Sequence, residues 1–254
     1  MPESLKVLDL FSGIGGFSLG LERAGMETIA FCEIDEKCRQ ELKKHWLNIP
    51  IYEDIKDLNV ERLRRDGIEP NILCGGFPCQ DISIAGYQKG LSGGRSGLWS
   101  QFARLISEIR PKYAIIENVA NLLLGDRGNW FSQILTDLAS IWYDAEWDVI
   151  PASAVGVNHK RERVWIVAYP KGNTKQNTVY SEIPQDFLLS CEFGRRTWGP
   201  VPGTHWATDK PRLVEMDDGV SGWVASVSQY GNAVVPQIPE LIGKAILEHE
   251  SRRT

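Results

Sequence analysis

Asp9-Leu10-Phe11-Ser12-Gly13-Ile14-Gly15-Gly16-Phe17 decides the fold. The stretch ends an apolar run, makes a glycine-rich turn and opens an amphipathic segment, a strand, turn and helix in which backbone comes close to a nucleotide-like ligand. Ser18 stands where the dinucleotide fingerprint G-x-G-x-x-G has its third glycine, so the turn is not a pyrophosphate site. Glu33 closes the next strand-like run, 18 residues after Gly15, where a carboxylate accepts hydrogen bonds from two ribose hydroxyls.

Outward from this turn, short apolar runs alternate with amphipathic ones. Strands are expected at 5–11, 28–33, 71–75, 113–118, 147–152 and 164–168, and helices at 17–24, 36–46, 98–110 and 130–143. Gly25 and Pro111 stop the first and third helices. The pattern is that of an α/β fold with a mostly parallel sheet and helices on both faces. Ligands of such sheets bind beyond the carboxyl ends of the strands, so the loops after Phe11, Glu33, Gly75 and Asn118 should line one crevice. A nucleoside carrier without a pyrophosphate, such as S-adenosylmethionine, suits it better than NAD. From Lys171 to Ser228 the periodicity fails and Gly, Pro, Asn, Thr and Trp accumulate, which reads as a small irregular module. Helix returns over 238–248. The expected domains are a body of 1–170 plus 229–254 and a module of 171–228.

Of 254 residues, 43% are hydrophobic, enough for one substantial core. No run approaches the length of a membrane span, and no basic region followed by a long apolar segment opens the chain. A cytoplasmic monomer is expected. The five cysteines are odd in number and lack C-x-x-C spacing, which argues against a disulfide framework and a zinc site; no metal is expected. Net charge is -5, yet residues 159–212 hold nine Lys/Arg against five Asp/Glu. A polyanion would meet that side of an otherwise acidic body.

Gly75-Gly76-Phe77-Pro78-Cys79-Gln80 follows the third expected strand and sets a cysteine at the mouth of the crevice. An ordinary thiol, with a pKa near 8.5, is already a few per cent thiolate at neutral pH, so modest stabilisation makes a nucleophile. Cys32, Cys38, Cys74 and Cys191 read as small buried hydrophobes.

Five ordered blocks now stand out: residues 9–16, Gly76-Phe77-Pro78-Cys79-Gln80, Glu117-Asn118-Val119, Lys160-Arg161-Glu162-Arg163 and Gly231-Asn232-Ala233-Val234-Val235. In them the chain resembles the DNA cytosine-C5 methyltransferases, of the compact kind found in phages and prophages and often paired with a restriction enzyme. The resemblance implies the Rossmann-like S-adenosylmethionine-dependent methyltransferase fold with a small target-recognition module. It implies Cys79 as the nucleophile that adds to cytosine C6, and Glu117 as the group that stabilises charge at N3 and reads the cytosine edge, which requires it protonated so that it can donate a hydrogen bond. Arg163 would contact the cytosine carbonyl oxygen and Glu117. Arg161, two residues away on a strand edge, would point to the opposite side, toward phosphate or the nucleophile loop. His159 stands where relatives often carry Gln.

For S-adenosylmethionine the resemblance implies Phe11, Gly13, Gly15, Gly16, Glu33, Ile34, Asp54, Ile55, Pro78, Leu98, Asn232, Ala233 and Val234 as the pocket, the last three brought back by the C-terminal segment. Double-stranded DNA is the implied partner. The target base must be flipped out of the stack, with Gln80, Ser83, Lys89 and Arg95 closing over it and Arg195, Arg196 and Lys210 as contacts of the module. The short module keeps an RNA cytosine-C5 methyltransferase as an alternative. A catalytically silent DNA-binding homologue fits less well with Cys79, Glu117 and Arg163 all present.

Overall fold

The structure is a computed structural model; it describes residues 4–78, 97–157, 161–172, 179–183 and 233–252. Seven strands form one sheet: β1 (Lys6–Leu10), β2 (Glu27–Cys32), β3 (Ile51–Tyr52), β4 (Ile72–Gly76), β5 (Tyr113–Val119), β6 (Tyr143–Pro151) and β7 (Glu162–Pro170), in the order β3-β2-β1-β4-β5-β7-β6. Pairs among the first five strands are parallel, and β7 runs antiparallel to both β5 and β6. β4 and β5 are almost entirely buried apolar runs, as central strands covered on both faces must be. The helices are α1 (Gly16–Ala24), α2 (Glu36–His45), α3 (Val60–Arg65), α4 (Leu98–Ile109), α5 (Asn129–Ser140) and α6 (Gln237–Ser251).

Two apolar clusters lie on opposite sides of the sheet. One packs Leu63 of α3, Phe102 and Ile106 of α4 and Phe131, Ile134 and Leu138 of α5 against alternate strand residues. The other packs Phe17 and Leu21 of α1 with Ile238, Ile242 and Ile246 of α6. A Cβ on Gly20 would come within 2.2 Å of the Pro236 carbonyl oxygen, so that glycine allows α6 to lie directly on α1. No helix among the described residues is long and apolar enough to cross a membrane.

The expected open α/β fold is present, with three local differences. β3 and α3 were not foreseen, because two and six residues are too short to show a period. The helix expected over 130–143 stops at Ser140; Trp142 takes a left-handed φ of 63° and Tyr143 already pairs with Pro170. Residues 179–183, within the expected module, pack into the body: Val179 and Ile183 are buried, and the Glu146 carboxylate accepts from the amides of Val179 and Tyr180 at 2.9 and 3.0 Å.

Beneath the glycine turn, Asp9 is fully buried, its Oδ2 accepting from the Ser18 hydroxyl at 2.8 Å and the Ser18 amide at 3.3 Å. Burial pushes its carboxyl from 3.8 up to about 7. The folded chain therefore holds a proton there that the unfolded chain loses above about pH 4. Stability from this group is present below that point and is lost as pH rises toward 7, up to about 4 kcal/mol in all. Asp9→Asn keeps the acceptor and removes the titration. Its melting temperature relative to the parent should rise steadily between pH 5 and pH 7.5; a constant difference would show that Asp9 does not titrate there.

Candidate active site

β1 and β4 are neighbours from which the chain departs in opposite directions, β1 to β2 and β3 on one side and β4 to β5 on the other. The crevice beyond their carboxyl ends is the place for a ligand in a sheet of this type. A cavity of about 330 Å3 lies there, and Phe11, Gly13, Gly16, Glu33, Ile34, Asp54, Ile55, Pro78, Leu98, Glu117, Ala233 and Val234 all line it. Most of the residues expected at the cofactor pocket are thus brought together, on loops from four strands, the start of α4 and the segment before α6. Cys79, Asn232, Gln80, Ser83, Lys89, Arg95, Arg195, Arg196 and Lys210 lie outside the described residues.

Gly15 does not line the cavity. It caps α1 with φ 87°, and a Cβ there would sit 2.6 Å from the Trp46 ring, so it is glycine for conformation and space. The wall also contains Ile14, Asp35, Cys38, Glu53 and Gly76, none of them expected. Cys32 lines it too; burial pushes the thiols of Cys32 and Cys38 up to about 12, so neither is a nucleophile.

Glu33 is held rigidly. One carboxylate oxygen accepts from the Gly13 amide at 2.7 Å and the other from the Asp35 amide at 2.8 Å. Beside it Ile34 is 71% exposed, a bare branched aliphatic surface at the cavity mouth. Among the described residues the lining carries five carboxylates, Glu33, Asp35, Glu53, Asp54 and Glu117, and no Lys, Arg or His.

Glu117 also lines the cavity, near the end of β5, with β1 and β4 lying between that strand and the β2 that Glu33 follows. It pairs in register with Gly76 on β4 and with Trp165 on β7. A Cβ on Gly76 would stand 2.6 Å from its Oε2, so any larger residue there would displace the carboxylate. The Arg163 Nε donates to Glu117 Oε1 at 2.9 Å. Burial raises the Glu117 pKa, and the charges of Arg163 and Arg161 oppose the rise. The charges of both arginines thus reach Glu117; Arg161 precedes β7 and has φ 24°, so the alternation of a strand does not set its direction. Asn118 donates to the Phe77 carbonyl at 2.8 Å and fixes the chain two residues before Cys79, a role with no signal in the sequence.

A glycine turn after the first strand, a carboxylate after the second, and an antiparallel seventh strand between the fifth and sixth define the class: a Rossmann-like α/β fold of the S-adenosylmethionine-dependent methyltransferases. Residues 5–192 match the family model described as C-5 cytosine-specific DNA methylase. The chain belongs to that family. It is 32% identical over 186 residues to the type II methyltransferase M.HhaI of Haemophilus parahaemolyticus, covering 73% of this chain and 54% of that protein. It is 36% identical over 191 residues to M.Bsp6I of a Bacillus species, covering 74% and 59%. A crystal structure of a prophage-encoded E. coli protein, described as a DNA modification methyltransferase, superposes with a TM-score of 0.59 at 27% identity, over 71% of this chain and 51% of that one. The chain spans about half the length of the curated relatives it matches.

Proposed function

We propose that this protein transfers a methyl group from S-adenosylmethionine to carbon 5 of cytosine in double-stranded DNA. The observation that carries the reading is one cavity lined by the fixed Glu33 carboxylate, the exposed aliphatic Ile34 and the buried Glu117, which is paired with Arg163. Relatives named type II methyltransferases support it.

The cavity fits the cofactor on its own chemistry. Glu33, with both oxygens already oriented, has lone pairs left for the two hydroxyls of a ribose. Ile34 offers a face for the adenine ring, with Asp54 and Ile55 beyond. The carboxylates of Glu33, Asp35, Glu53 and Asp54 in the cavity lining attract a sulfonium and repel a pyrophosphate. When bound, S-adenosylmethionine supplies a methyl group on a positively charged sulfur.

The chain's own groups do the rest. Cys79, as thiolate, adds to C6 of a flipped cytosine while the proton of Glu117 goes to N3. The new bond at C6 and the proton at N3 leave C5 electron-rich, which suits it to accept the methyl group. Loss of the C5 proton to solvent then expels the thiolate, and N3 returns its proton to Glu117 as the neutral ring is restored. Arg163 orients Glu117 and shares its charge. Phe77, held by Asn118, sets where the nucleophile loop begins. Base recognition falls to the 171–228 module, with Arg195, Arg196 and Lys210 as contacts, and to Gln80, Ser83, Lys89 and Arg95 around the flipped base. The protein acts in the cytoplasm as a monomer.

The test is mass spectrometry of nucleosides from a host without cytosine-C5 methylation that expresses this chain. 5-Methyl-2′-deoxycytidine in its DNA is expected. Modified cytidine confined to its RNA would overturn the DNA assignment.

A further inference from the structure

Arg104 is not among the lining residues of the cavity; it lies on the second turn of α4, and its guanidinium has a partner at every nitrogen. Nη2 donates to the carbonyl of Leu58 at 2.7 Å and to that of Ile55 at 3.1 Å. Nη1 donates to Glu108 at 2.8 Å and Nε to Gln101 at 2.9 Å. The other Glu108 oxygen accepts from the Val60 amide at 3.2 Å. Arg104 and Glu108 together therefore staple the stretch from Ile55 to Val60 onto α4.

Both ends of this staple meet the cavity. Asp54 and Ile55 line it, and so does Leu98, the first residue of α4. Six residues of helix, roughly 9 Å, separate Leu98 from Arg104. Nη2 alone spans the two carbonyls, while Nη1 and Nε are held by Glu108 and Gln101 on the same helix, so the plane of the guanidinium is fixed on α4 and with it the distance and tilt of the turn, which a donor free to rotate does not achieve.

We propose that Arg104 is a positioning residue for the cofactor: by tying the Asp54–Ile55 wall to the helix that carries Leu98, it sets how tightly the adenosyl end is held. The inference rests on the cofactor reading above. No contact between Arg104 and the ligand is involved, so the effect must pass through the backbone at Ile55 and Leu58.

The experiment is calorimetric titration of S-adenosylhomocysteine into the parent chain, Arg104→Gln and Arg104→Lys at 20 °C, with melting temperature and duplex-DNA affinity measured alongside. Arg104→Gln should weaken binding by about tenfold to a hundredfold, the range that a displacement near 1 Å produces. Arg104→Lys, which keeps the charge without the fork, should fall between the two. Affinity for DNA should stay within twofold of the parent. A folded Arg104→Gln that binds S-adenosylhomocysteine as the parent does, with only a lower melting temperature, would overturn the proposal and leave a purely structural strut. If Arg104→Gln is insoluble, Glu108→Gln serves: about fivefold weaker binding supports the proposal, and unchanged binding overturns it. A parent chain that does not bind S-adenosylhomocysteine at all overturns the cofactor reading itself, an outcome distinct from equal binding by parent and variant.

Discussion

Cys79→Ala should lower methyl transfer by at least about a thousandfold while leaving S-adenosylhomocysteine affinity within twofold of the parent. The alanine cannot add to C6, and without that bond C5 stays too electron-poor to accept a methyl group; losses of this size are ordinary when a covalent nucleophile is removed. Cys32 and Cys38, in the cavity wall, do not substitute for it, because burial holds their thiols near a pKa of 12. The decisive readout does not depend on turnover. In a duplex with fluorine at C5 the elimination stalls after addition, since fluorine does not leave as a cation, and the parent chain should remain bound to the DNA in denaturing detergent. Cys79→Ala should show no such species. A trapped adduct in the variant would mean that another residue is the nucleophile.

Glu117→Gln should cost about a hundredfold to ten-thousandfold in kcat, the span of a lost general acid. The amide keeps the shape and still donates a hydrogen bond to N3, but it has no proton to give. The pH profile separates this role from a steric one. Burial raises the Glu117 pKa against the pull of Arg163 and Arg161. Its protonated, acting form is complete below that pKa and declines above it, whereas the Cys79 thiolate grows with pH up to its own pKa. Their product rises, levels and then falls on the alkaline side. With glutamine at 117 only the thiolate titrates, so the remaining rate should climb with pH and then stay flat. An alkaline decline that persists in the variant would assign it to another group.

The sequence makes the body legible because its signals are local. A glycine turn flanked by a strand and a helix, a carboxylate closing the next strand and Leu98 opening a helix can each be read from a few neighbouring residues, and they do meet in one cavity. What escaped reading is non-local or too short. Gly15 faces Trp46, Gly76 makes room for Glu117, and Arg104 grips carbonyls 46 and 49 residues away. Hydrophobic periodicity carries no trace of a side chain that bonds to distant backbone. Arg161 was placed by a strand period one residue beyond where the strand begins. Residues 171–228, weak in period, yielded composition and charge, and the contact of Glu146 with the amides at 179 and 180 was invisible in both.

The packing of α6 across α1 has a consequence for synthesis. α1 and all seven strands emerge from the ribosome before residues 233–252 do. Until those residues arrive, the Gly20–Leu21 face of α1 lacks the cover of α6, and the cavity lacks Ala233 and Val234. A nascent chain stalled in between displays a greasy strip that chaperones recognise. It also has no finished pocket, so a ligand that favours the folded state by mass action has little to hold. Cofactor in the cell should thus protect completed molecules from proteolysis and give arrested ones no such shelter.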